Sequence, residues 1–467
     1  MSGDKRIVLA KKALVGSNGR PLTRRRFVGA TGVSLAALGS MGAVLTASSR
    51  ASAAPGRPFR GYGELVTDPN GLVDLPAGFR YRVFSRDDGS LLSQDGLVPS
   101  AHDGMAAFPA PLGATWLVRN HEVDQEAVEE DGAIAVPHVD GLTYDPDGTG
   151  GTTTLLVAAS RNLVHHRVSL AGTEGNCAGG PSPWGTWLTC EETDEVLSQP
   201  HGYVFEVHPV LGGNPQPITA MGRFEHEAVS FDHSGIAYLT EDAGDPFGCF
   251  YRFVPSVLLG GRGSLHAGGE LTAMSVVGID TDLSVVDVPG SVFDVEWVAV
   301  ENPDPGEDDT TVREQAIANG ATPIMKCEGT WLDPDGSIWF VSSRGDGPDA
   351  EDEEDRTAKV HSGQIWKYDP ANQTIELVVM FPQPFDGPDN ITVAPHGFAL
   401  ACTDGEDDQW LVAINDAGEI FPFALNPADD SEFAGATFSP DGQTLFVNIQ
   451  GAPASTLAIW GPWHARR

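Results

Sequence analysis

Basic residues are scarce: 28 Lys and Arg stand against 65 Asp and Glu in 467 residues. Nine of those bases and a single acid fall in residues 1–53, so residues 54–467 carry 64 acids against 19 bases, a net charge of −45. Such a body is repelled by nucleic acid and by anionic membrane at every range that salt leaves unscreened, which excludes both as partners. Cysteine is scarce as well. Cys177, Cys190, Cys249, Cys327 and Cys402 are too few, and odd in number, for a disulfide framework, and no Cys-x-x-Cys pair offers a structural zinc site. No G-x-S-x-G elbow, Walker loop or dinucleotide fingerprint occurs in its required setting, so an activated serine is not the expected chemistry. Beyond residue 53 no apolar run is long enough to span a bilayer.

What is present begins with an address. Arg24-Arg25-Arg26-Phe27 is followed by an uncharged stretch of Gly, Ala, Ser, Val and Leu, then by Ala51-Ser52-Ala53. Charged segment, apolar segment and small-residue cleavage site in that order predict a signal peptide over residues 1–53, and the paired arginines resemble a twin-arginine signal. The expectation is export to the periplasm or the outside, through the twin-arginine machinery, of a chain that folds in the cytoplasm with its metals in place.

Gly and Pro, 55 and 34 of them, suit many turns between short strands and disfavour a helical bundle. One unit recurs: an apolar strand, a turn built on Asp or Ser with Gly, and an aromatic-rich strand, with the turn glycines at Gly235, Gly336 and Gly442. These are tight hairpins whose glycine supplies the positive φ of the turn. Their spacings of 101 and 106 residues fit two blades each. A second unit, Gly followed by alternating apolar residues after Gly202, Gly248, Gly363 and Gly418, has the period of a third blade strand. The expected fold is all-β, a six-bladed β-propeller over residues 54–467 as one catalytic domain, with a small helical insertion between about residues 300 and 325. The acid-rich run Asp346–Asp355 reads as a solvated loop.

Acids recur where these strands begin and end. They stand in Asn120-His121-Glu122, Cys190-Glu191-Glu192, Glu225-His226-Glu227, Glu241-Asp242, Cys327-Glu328, Asp386-Gly-Pro-Asp389-Asn390 and at Glu432. In a propeller the first strands converge on one axis, so these side chains would form an acidic ring at one mouth. Carboxylates held together cannot all ionise without compensation, and with few Lys or Arg at hand multivalent cations are the expected partners. Oxygen-rich sets suit calcium, and a thiolate beside carboxylates suits iron. Arg344, after a hairpin, offers a fork-shaped donor for an anion held on such cations. For His121 and His226 a structural hydrogen bond is at least as well motivated as ligation.

The blocks Asn176–Glu192, Phe224–Glu227, Tyr238–Asp242, Ser342–Arg344, Gly387–Asn390 and Phe438–Gly442 resemble the PhoX-type alkaline phosphatase family. The resemblance implies a monomeric six-bladed propeller that hydrolyses small phosphate monoesters with Ca2+ and Fe3+. It implies metal ligands at Cys190, Glu191, Glu227, Glu241, Asp242, Glu328, Asp389 and Glu432, with Cys177 as the alternative iron ligand to Cys190. Arg344 and Asn120 are the implied catalytic side chains. The competing readings are a calcium-dependent lactonase-like propeller, with one ion and no need of Cys, and a non-catalytic exported calcium-binding propeller.

Overall fold

The computed structural model describes residues 59–93, 96–244, 247–343, 361–405 and 408–464. The expected signal peptide, the acidic run Asp346–Asp355 and Arg344 lie outside these residues. Among the described residues the chain is all-β apart from a few short helical turns and one α-helix, Val312–Ala318, inside the segment expected to carry a helix. That helix starts on a capping box in which the Thr311 side chain accepts from Glu314 N and Glu314 caps Thr311 in return.

Among the described residues, antiparallel strands form four four-stranded sheets, one nine-stranded sheet and a small two-stranded one. The nine-stranded sheet joins two four-stranded halves through the strand Val292–Ala299, which pairs Gly269–Val276 on one side and Thr374–Met380 on the other. The first strands of the hairpins are His102–Pro109, Asn176–Pro181, His226–Phe231, Cys327–Leu332, Pro388–Ala394 and Phe433–Phe438. Each touches the next in that order and the last touches the first, so they line a closed cycle. This is the propeller-like arrangement expected from the repeat.

The turn glycines behave as expected: Gly235, Gly336 and Gly442 have φ of 88°, 97° and 68°. The second unit divides. The strands after Gly202, Gly248 and Gly363 are third in their sheets, but Ile420–Asn426, after Gly418, is a fourth strand, and Gln409–Ile414 is the third. Third and fourth strands share the same two-residue alternation, so periodicity alone does not tell them apart.

Two packing features hold the cycle. Arg80–Arg86, near the start of the described chain, pairs with Ser455–Trp460 near its end, so the two ends complete one sheet. Phe59, Tyr62, Phe79, Phe423 and Trp463 interlock beside it through edge and stacked ring contacts. At the second feature, Gly180 of the Asn176–Pro181 strand meets the next first strand: a Cβ on it would lie 1.6 Å from the Val229 carbonyl oxygen. Only glycine permits that approach.

Candidate metal centre

The site is built by a defect repeated around the cycle. In the first five inner strands the pairing with the second strand slips immediately after the first residue. The slip puts Asp103, Cys177, Glu227, Glu328 and Asp389 in β-bulges, which re-aim side chains out of the pleat. In the sixth strand the slip falls one residue later, placing Gly435 in the bulge. Its φ is 62°, and a Cβ there would lie 2.5 Å from the Asp103 carbonyl oxygen, so this position bears no side chain. Glu432, just before that strand, supplies the carboxylate instead.

A second set follows from the second strands, whose last residues pair with the first residues of the inner strands. The next residue in each case is Glu122, Glu192, Asp242, Ser343, Asp404 or Gln450. The bulge carboxylates and Glu432 are buried, whereas Glu122, Glu192 and Asp404 are partly exposed. The centre thus has a buried floor and a rim open to water.

Three ligand groups result among the described residues, each with its donor atoms within 4.8 Å of one another: Cys177, Glu192 and Glu227; Glu227, Glu328 and Asp389; Asp389, Asp404 and Glu432. Burial first, and repulsion from neighbouring acids second, push the carboxyl groups of Asp103, Glu192, Glu227, Asp389 and Glu432 well above the ordinary carboxylate range. Burial, then Glu227 and Glu192, raises the Cys177 thiol likewise. Both oxygens of Glu227, both of Glu432 and one each of Asp103, Asp242 and Asp389 are buried without a hydrogen-bond partner. Unpartnered buried carboxylate oxygens are costly, and cations bound among them would remove that cost, so these residues fit a multi-metal centre.

The family model for alkaline phosphatase PhoX matches residues 60–453. The chain belongs to the PhoX family. The resemblance read from the sequence is therefore borne out. Among solved structures, PhoX from Pseudomonas fluorescens, determined in complex with vanadate, a transition state analogue, is 19% identical with a TM-score of 0.67, over 86% of this chain and 98% of that one. A gluconolactonase from Xanthomonas campestris is 12% identical with a TM-score of 0.42, over 87% and 100%. No curated protein matches the sequence.

Within this PhoX-family chain the expected ligands separate. Glu227, Glu328, Asp389 and Glu432 come together at the centre. The thiol beside Glu192 and Glu227 is that of Cys177, whereas Cys190 lies opposite the bulge, is likewise fully buried, and joins no ligand group among the described residues. Glu191 is consumed elsewhere. Its oxygens accept from Glu174 N, His201 Nδ1, Gly202 N and Tyr203 N at 2.6–3.0 Å. Glu241 accepts from Cys249 N and the Tyr251 hydroxyl and pairs with Arg313 at 3.3 Å; burial, only partly offset by Arg313, raises its pKa to about 7. Asn120 is not turned to a substrate: its amide donates to the carbonyls of Cys177 and Ala178 and accepts from Trp187 Nε1 and Thr189 Oγ1, bracing the bulge. His121 and His226 likewise bond backbone carbonyls, of Ser100 and Gly222.

The carboxylates at the ring that the reading passed over are Asp103, Glu122, Glu192 and Asp404: Glu192 and Asp404 join ligand groups, and Asp103 and Glu122 both accept from Gln450 Nε2. Three of these are the residue after a second strand's last paired position, one place beyond the acid or strand end that draws the eye. Glu191→Gln tests the distinction: it turns an NH2 donor toward two of these four donors and is expected to lower stability by about 2–3 kcal/mol. Metal content should stay at the wild-type value, checked by denaturant unfolding beside elemental analysis.

Proposed function

We propose that this chain is an exported phosphomonoester hydrolase whose acidic centre holds calcium and iron. The observation that carries the reading is the gathering of buried, unpartnered carboxylate oxygens and one thiol at the centre of a PhoX-family fold. The Cys177, Glu192 and Glu227 group has the soft donor that suits iron; the two all-carboxylate groups suit calcium. The thiol at the centre favours this reading over a one-ion lactonase-like site. We count the nine-stranded sheet as two blades fused through Val292–Ala299, giving a six-bladed propeller over residues 54–467, acting as a monomer. No helix among the described residues is long and apolar enough to cross a membrane. The signal over residues 1–53 accounts for periplasmic or extracellular location by the twin-arginine route.

Bound cations would neutralise the non-bridging oxygens of a phosphoryl group and stabilise the leaving alkoxide. The chain's own residues do the rest. Inner-strand bulges fix the buried carboxylates, and the partly exposed Glu122, Glu192 and Asp404 border the opening, so a net-negative protein admits an anion only where its charge is compensated. Arg344 follows Ser343, whose hydroxyl donates to Glu328 Oε1 at 2.8 Å. The Arg344 guanidinium is the proposed donor to a non-bridging oxygen.

The test is hydrolysis of p-nitrophenyl phosphate at alkaline pH by chelated protein before and after repletion with Ca2+ and iron. Activity that returns only on repletion supports the reading; chelated protein repleted with both and still inactive sinks it. Arg344→Ala should lower kcat/KM about a hundredfold or more while leaving the melting temperature near wild type.

A further inference from the structure

Lys326 is the anomaly of the centre. It lies one residue before the strand Cys327–Leu332 with φ of 50°, a left-handed conformation that a side-chain-bearing residue adopts at a cost. Backbone bonds hold it there: Lys326 N donates to the Ala243 carbonyl at 3.3 Å, and the Lys326 carbonyl accepts from Ser343 N at 3.0 Å. The result aims a partly buried ammonium into the acidic ring. Its Nζ pairs with Asp242 Oδ2 and stands 3.7 Å from Glu328 Oε1.

Both acids are telling. Asp242 occupies the same place after its second strand as Glu122, Glu192 and Asp404 after theirs. Unlike Glu192 and Asp404, it joins no ligand group among the described residues, and its Oδ1 is buried without a partner. Glu328 faces two ways, toward Lys326 and toward the group it shares with Glu227 and Asp389. A single positive charge reaches further: Lys326 opposes the upward pKa shifts of Glu192 and Asp389.

We propose that the Lys326 ammonium is a tethered cation occupying the place between Asp242 and Glu328 that a calcium ion would otherwise take, and so sets how many metal ions the ring binds. Two carboxylates with a shared cavity-side position are a divalent-cation arrangement. Here the compensating charge is covalently held, does not exchange with solvent and is indifferent to chelators. Asp242 is then a partner of Lys326 and not a metal ligand. The inference rests on the reading that the ring binds cations.

Calcium is the probe. Wild type, K326M, K326Q, K326R and the double variant K326M with D242N are chelated, repleted with Ca2+ alone, and measured for calcium per chain by elemental analysis and calorimetric titration. K326M and K326Q should each gain one calcium per chain, K326R should match wild type, and the double variant should lose the gained ion. The glutamine variant covers the case in which methionine beside buried Asp242 prevents folding. Wild-type calcium content in both single neutral variants, or an extra ion that survives D242N, overturns the proposal. A wild-type chain that binds no calcium overturns the metal reading, and this inference with it.

Discussion

Glu227→Gln is expected to lower kcat/KM for p-nitrophenyl phosphate by about three orders of magnitude or more, because it removes several kcal/mol of charge compensation at once. Glu227 belongs to two of the three ligand groups, linking Cys177 and Glu192 to Glu328 and Asp389. Both its oxygens are buried with no hydrogen-bond partner, so no protein donor depends on it. Glutamine of the same shape withdraws the charge and sets an NH2 donor against a cation. The same change should have the opposite effect on the metal-free chain. There the Glu227 carboxylate is a desolvated charge repelled by Glu192, Glu328 and Asp389, and removing it relieves that strain. E227Q should therefore contain fewer metal ions per chain than wild type, yet melt no lower than wild type once both are chelated. Activity within tenfold of wild type at full metal content would remove Glu227 from the centre. A chelated variant much less stable than chelated wild type would mean that the side chain is structural, as Glu191 is.

The contrast between Glu227 and Glu191 shows what the sequence made readable. Hairpins announced themselves through the glycine turns at Gly235, Gly336 and Gly442, because a positive φ leaves a residue signature. The bulges did not. Whether Glu191 or Glu192 faces the centre depends on where pairing with the inner strand slips, and a one-residue shift exchanges the two faces of a strand. The same uncertainty of phase left Glu241 beside Asp242 among the expected ligands and Cys177 as only the alternative to Cys190. Asp103 was hidden for another reason: its strand is followed by Ala110-Pro111-Leu112-Gly113 and not by the Asp-Gly or Ser-Gly hairpin turn that marks other inner strands. Closure of the last sheet by Arg80–Arg86 joins residues 369 to 380 positions apart, and no local pattern encodes such a pairing. Lys326 was invisible because its role comes from a left-handed backbone that lysine does not advertise.

Chelation should destabilise the protein, and by more as pH rises. Asp103, Glu192, Glu227, Asp389 and Glu432 all have folded-state pKa values raised above the ordinary 3.8 of Asp and 4.5 of Glu, by burial and then by one another. Between its unfolded and folded pKa values each such group binds more protons in the folded chain than in the unfolded one. Stability of the metal-free chain is then fully present at low pH and falls as pH rises through that window. Bound cations reverse the trend, because they bind the ionised carboxylates and compete with protons for them. An ion present at about a hundred times its Kd adds about 2.7 kcal/mol, so a centre of several ions should separate loaded and chelated melting temperatures by on the order of 10 °C or more. The separation should be large at about pH 8 and small at about pH 5, where protons already neutralise part of the ring. Calorimetric melting of both forms across that range measures it directly. Equal separation at every pH would mean that the raised carboxylates are not the groups that bind the metal, and would return the ring to the status of a solvated acidic mouth.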